Sequence, residues 1–169
     1  AEYLVMDQEA EDLARKVAEA NLSTKYLEWK TRPHVTLACF NDVDEEKCIE
    51  LLKIPVVTAW NAHDLLWEGH PYDCGRPGTV GTRGGNFVVQ SADFVLILAC
   101  RMNIRMISYQ WECFAKDAVK VWVEIDKNEL CKPTIKPDIA IHADVKEFLI
   151  RMNERLSNET IHFTQMQEN

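Results

Sequence analysis

Five short apolar runs, separated by amphipathic stretches, constrain this chain more than any other feature. They read "HVTLAC" (34–39), "IPVVTAW" (54–60), "FVLILAC" (94–100), "VKVWVEID" (119–126) and "IAIHAD" (139–144). A strand with one wet face alternates apolar and polar residues, whereas a strand covered on both faces is apolar throughout. These runs are of the second kind and rich in β-branched residues. Between them, residues 8–29, 43–52, roughly 81–91, 105–117 and 144–157 place apolar side chains at helical spacing. Strand–helix alternation implies parallel crossovers with helices on both faces of a sheet.

The expected fold class is therefore α/β, a three-layer, doubly wound, Rossmann-like parallel sheet of about six strands in the order 3-2-1-4-5-6. Asn41 and Asp42 are placed to cap the helix at 43, and Asp144 to cap the last one. Pro33, Pro55 and Pro137 stand at strand entrances, where a missing N–H is tolerated. "NELCKPTIKPD" reads as a short helical turn followed by a loop. Residues 1–32 are expected to form a helical lead-in, 33–160 the domain proper, and 161–169 a tail.

A chain of 169 residues is long enough to bury one core without metals or disulfides. Its formal charge of −8 argues against a general nucleic-acid or anionic-membrane binder. No apolar run approaches the ~20 residues of a bilayer span. The six cysteines show neither CxxC nor zinc spacing. Reduced thiols acting as small hydrophobes, in a cytoplasmic protein, are the expectation.

All six glycines fall between Gly69 and Gly85, five of them in "GRPGTVGTRGGNF" (75–87). Ligands of doubly wound sheets bind outside the carboxyl ends of the strands. Residues 74–110 hold Arg76, Arg83, Arg101 and Arg105 against one acid, Asp93, a local +3 in an acidic chain. Glycines, guanidinium groups and a helix start near Gly81 would suit diphosphate oxygens. The competing account is a tight strand-to-helix turn with surface ion pairs, since neither GxGxxG nor GxxxxGK[ST] is present. Asp126 at the end of "VWVEID" could accept from a ribose hydroxyl or cap the helix over "KNEL". His63, Asp64 and His70 lack a third ligand at suitable spacing and read as loop residues. No metal site and no catalytic set can be placed.

"IPVVTAWNAHDLL", "HPYDCGRPGTVGTRGGNFVVQSADFVLILACRMNIRMISY" and the stretch from "VEIDKNEL" to "IAIHADVKEFL" resemble the central domain of thiamine-diphosphate-dependent enzymes, and acetolactate-synthase-like members most. The likeness runs from about residue 33 to 150. It implies a parent of three domains, in which a glutamate of the first activates thiamine and a GDG…N motif of the third holds diphosphate and magnesium. This chain contains no GDG. It is thus expected to be an isolated central domain, cofactor-holding or assembly-directing and not an enzyme by itself, from a parent transferase or lyase. Implied partners are the pyrimidine-binding and diphosphate-binding domains, and a homo-oligomer.

In acetolactate synthases this domain binds FAD at its strand ends, in some relatives an adenine nucleotide, and in others nothing. The resemblance carries cofactor contacts onto Thr58, Gly75, Arg76, Gly78, Arg101, Asp126 and Asp144. An alternative is a stand-alone FAD- or adenine-nucleotide-binding module with Arg76, Arg83 and Arg101 on phosphate and Asp126 on ribose. The family often has Gly-x-Gly where this chain has Cys39-Phe40-Asn41, and usually Gly where it has Ala99. Side chains at those positions narrow the space for a cofactor.

Overall fold

The computed structural model describes residues 34–37 and 45–158. The lead-in, the tail, Pro33 and the Asn41–Asp42 cap lie outside them. Five strands are present: β1 (His34–Leu37), β2 (Val56–Thr58), β3 (Phe94–Leu98), β4 (Val119–Glu124) and β5 (Ile139–His142). All neighbours pair in parallel, in the order β2-β1-β3-β4-β5. Each strand lies inside its apolar run. The order changes direction beside β1, so the place where such sheets are expected to take a ligand is where β1 and β3 end.

The expectation of about six strands meets five among the described residues. A further segment lies along the outer edge of β2. Val56 bridges Asp73 in parallel, Val56 N donates to Tyr72 O and Cys74 N to Val56 O (both 2.8 Å), and Thr58 N donates to Gly75 O (3.1 Å).

Two cores explain the unbroken hydrophobicity of the strands. Val56, Leu96, Leu98, Val121, Val123 and Ile141 face one side. There they meet Cys48, Ile49 and Leu52 of α1 (Glu45–Leu52) and Val145, Phe148, Leu149 and Met152 of α5 (Val145–Asn158). Val57, Val95, Ile97 and Trp122 face the other side, against Val89 of α2 (Arg83–Gln90), Met106 and Ile107 of α3 (Ile104–Ile107), and Leu130 of α4 (Lys127–Leu130). Successive strand residues thus enter opposite cores, as the two-residue period requires.

One helix departs from expectation. Residues 105–117 do not form a single helix: α3 stops at Ile107, and a 3-10 turn occupies Trp111–Cys113. Ser108 (φ 65°) and Ala115 (φ 43°) are left-handed, which ends helical propagation at both places. Ile107 and Phe114, seven residues apart, give the helical period in the sequence. Both reach the same core from two separate pieces.

Candidate functional site at the carboxyl ends of the strands

The glycine-rich loop runs from the edge segment 72–75 into α2. Thr82 caps the helix, its Oγ1 accepting from Gly85 N (3.1 Å) and from Arg76 N (3.2 Å). Asn86 holds the far side of the loop: its Oδ1 accepts from Gly78 N (2.7 Å) and its Nδ2 donates to Gly78 O (3.0 Å). An added Cβ at Gly78 (φ +118°) would lie 1.9 Å from the Arg105 carbonyl oxygen, and one at Gly85 would lie 2.6 Å from the Arg76 carbonyl. These glycines therefore let backbone approach backbone. Thr79 N donates to Arg105 O (2.9 Å), which ties the loop to the segment after β3.

That segment is held in an uncommon conformation. Ala99 (φ 44°) and Met102 (φ 46°) are both left-handed. Glycine is the residue that adopts this backbone at no steric cost. Lys132 clasps the turn: its Nζ donates to the carbonyls of Arg101 and Met102 and to Glu129 Oε2 (3.0 Å), and sits 5.1 Å from the centre of the Trp122 ring. Arg101 Nε donates to Glu129 Oε1 (2.8 Å). Burial opposes ionisation of Glu129, but hydrogen bonds from Lys132 and Arg101 outweigh it and hold its carboxyl below the usual value. The hydrogen bond that Arg101 donates to Glu129, with the carboxylate's charge, raises the pKa of Arg101. Burial pushes the Cys100 thiol up to about 11, so it stays protonated and inert.

The seven residues carried over from the resemblance all lie on this side of the sheet or at a helix start beside it. Thr58 is buried at the end of β2, and its N–H goes to Gly75 O. Gly75 N donates to Asp73 Oδ1 (2.8 Å). Arg76 lies over the Trp60 ring at 5.7 Å, and its buried Nε has no partner among the described residues. Asp126 caps α4 by accepting from Asn128 N (2.9 Å), and Asp144 caps α5 by accepting from Lys146 N (2.8 Å). Beside them, Glu124 is buried at the end of β4, with Oε1 accepting from Ile125 N (2.9 Å) and Asp126 N (3.2 Å). Arg83 and Arg105 are exposed, with no carboxylate partner among the described residues.

A cofactor diphosphate at these strand ends would have to use what the fold's own bonds leave. Arg101 is shared with Glu129, and each capping aspartate has one oxygen engaged. The Arg76 guanidinium and the exposed Arg83 and Arg105 carry the remaining anion-binding capacity. The donor set fits such a group in part. His63 and His70 serve the loop: His63 Nδ1 lies 3.2 Å from Trp60 O, and His70 Nδ1 accepts from Tyr72 N (3.2 Å) between the Trp67 and Tyr72 rings.

Residues 45–152 match the thiamine pyrophosphate enzyme central-domain family. The chain belongs to that family. This central domain is 33% identical over 103 residues to the acetolactate synthase isozyme 1 large subunit of Escherichia coli K12, which covers 61% of the chain and 18% of the relative. It is 28% identical over 133 residues to a probable acetolactate synthase large subunit of Methanococcus aeolicus, covering 73% and 22%. A probable chloroplastic acetolactate synthase 2 of rice is 35% identical over 112 residues, covering 66% and 17%. The central domain thus spans about a fifth of the length of the relatives it matches.

Thr82, Glu129, Lys132 and Asn86 lock the site, and their signals in the sequence differ. Thr82 was legible as a hydroxyl three positions before Gly85, a capping pattern. Glu129 and Lys132, three apart in "KNELCK", carry the spacing of a helical ion pair. Asn86, bonded to backbone eight residues back, has no local signature.

Proposed function

We propose that this chain is the isolated central domain of an acetolactate-synthase-like thiamine-diphosphate enzyme, a cofactor-holding and assembly module and not a catalyst. The observation that carries this reading is the family match over residues 45–152 joined to coverage of only about a fifth of the relatives' length. The parent is a transferase or lyase whose thiamine diphosphate and magnesium sit in companion pyrimidine- and diphosphate-binding domains. The edge segment 72–75 supports a reading of the sheet as six-stranded, since counting it third gives the order 3-2-1-4-5-6. The purified chain, given thiamine diphosphate and magnesium, is expected to leave pyruvate unconsumed. Turnover dependent on thiamine diphosphate would contradict the reading.

A second reading is favoured by Arg76 and Arg83, whose guanidinium groups have no carboxylate partner among the described residues. In it, the strand ends bind FAD or an adenine nucleotide, with Arg76, Arg83 and Arg101 on phosphate, Asp126 and Asp144 on hydroxyl groups, and Thr58, Gly75 and Gly78 along the cofactor's path. The absorbance spectrum of the purified chain and calorimetry with FAD, ADP and NAD test it. A flavin band or saturable heat supports it. A colourless protein with no heat at millimolar ligand removes it.

A further inference from the structure

The backbone and the side chain of Arg101 are held in different ways. Lys132 Nζ donates to the carbonyls of Arg101 and Met102, which pins a turn where Ala99 and Met102 are left-handed. The side chain is 76% exposed, and its Nε (2.8 Å) and Nη2 (2.5 Å) both donate to Glu129 Oε1. Exposed side chains change rotamer within nanoseconds, so the guanidinium is free to swing while its backbone stays fixed. Glu129 is the opposite case. It is only 12% exposed, and a carboxylate so far out of water is costly to leave unpaired. Lys132 removes that penalty, because its Nζ donates to the second oxygen, Oε2, at 3.0 Å. Each carboxylate oxygen thus has its own cation, and Glu129 keeps Lys132 when Arg101 leaves.

Arg101 follows the end of β3, beside the reversal of strand order where doubly wound sheets take ligands. Bound to Glu129, its charge is already matched, and the charges of Asp126 and Glu124 act on it in the same sense. A carboxylate ligand would exchange one guanidinium–carboxylate pair for another and gain little. A diphosphate brings more charge and more acceptor oxygens, and so competes for the guanidinium. A pair with one exposed partner adds little to stability, which leaves the Arg101 bond weak enough for such a ligand to break.

We propose that Glu129 is an autoinhibitory latch on Arg101. A diphosphate-bearing ligand binds at the strand ends by drawing the guanidinium from Glu129, which Lys132 then holds alone. The proposal rests on the nucleotide reading of the strand ends, to which it adds a residue that opposes binding.

Calorimetry with ADP and FAD compares the 169-residue chain with Glu129→Gln, Glu129→Asp, Arg101→Met and Arg101→Met/Glu129→Gln. Glu129→Gln should bind about three- to tenfold more tightly than the unaltered chain. Glu129→Asp keeps the negative charge beside Lys132 but draws it back from Arg101, and should show a smaller gain of the same sign. In the Arg101→Met background, Glu129→Gln should change affinity by less than about twofold. Slow amide exchange of β3 and β4 shows each variant folded, and Glu129→Asp decides the question if Glu129→Gln loses that protection. An equal gain with and without Arg101 would come from removing negative charge in general, and overturns the latch. Unchanged or weaker binding by folded Glu129→Gln overturns the latch alone and leaves the nucleotide reading standing. No saturable heat from either ligand with any variant removes the nucleotide reading, and the latch with it.

Discussion

Ala99 shows how a single residue can keep the mark of a backbone requirement. It follows β3 with φ 44°, a conformation that costs an L-residue about 1–2 kcal/mol. Ala99→Gly should therefore raise stability by about 0.5–1 kcal/mol, the gain being offset in part by the freer unfolded chain. Urea unfolding measures it, and a loss of stability would mean that the methyl group's packing outweighs the strain. Gly78 is the opposite case. With backbone 1.9 Å from the place of a Cβ, Gly78→Ala should cost more than about 3 kcal/mol or prevent folding. Among the cysteines, exposed Cys113 and Cys131 should alkylate readily at pH 8, while buried Cys100 should react only on unfolding. Peptide mass mapping after brief iodoacetamide treatment reads this directly.

At the scale of elements, the clasp of Glu129 and Lys132 joins α4 and the segment after it to the turn after β3. Glu129 has a folded-state pKa below its unfolded value, so its contribution is present above the unfolded pKa and is lost as pH falls through the folded one. Glu129→Gln should cost about 1 kcal/mol at pH 7, a figure kept low for solvent screening, and progressively less as the carboxyl protonates below about pH 4.5. Unfolding midpoints of both proteins across that range should converge. A constant difference would assign the loss to packing. Elements were legible where their cause is local. The five strands lie inside five apolar runs, α2 begins two residues from its expected start, and Asp144 caps α5. The spacing predicts a helix over 105–117, but Ser108 and Ala115 leave the helical region while Ile107 and Phe114 keep its period. No spacing rule anticipates that break.

For the whole molecule, continuous apolar runs foretold a sheet buried on both faces, and the two cores give the reason. Leu96 and Ile97, adjacent in β3, enter opposite cores, each about 1% exposed or less. Leu96→Ala and Ile97→Ala should each cost about 2–5 kcal/mol. In a sheet with one wet face only one of the two would. Legibility of the site was more limited. The sequence placed Thr58, Arg76, Arg101, Asp126 and Asp144 at strand ends and helix starts, and the caps made by Asp126 and Asp144 are local, but Arg101 is engaged by Glu129 and Lys132 and Gly78 by Asn86, which arrive from elsewhere in the chain. The glycines looked like a ligand's cradle because the loop's own backbone, which fills the space at Gly78 and Gly85, cannot be read from spacing. On the proposed reading, thiamine diphosphate is held outside this domain. Isothermal titration of the purified chain with thiamine diphosphate and magnesium tests it most directly. No saturable heat is expected at millimolar ligand, and stoichiometric binding by the chain alone would contradict the proposed reading.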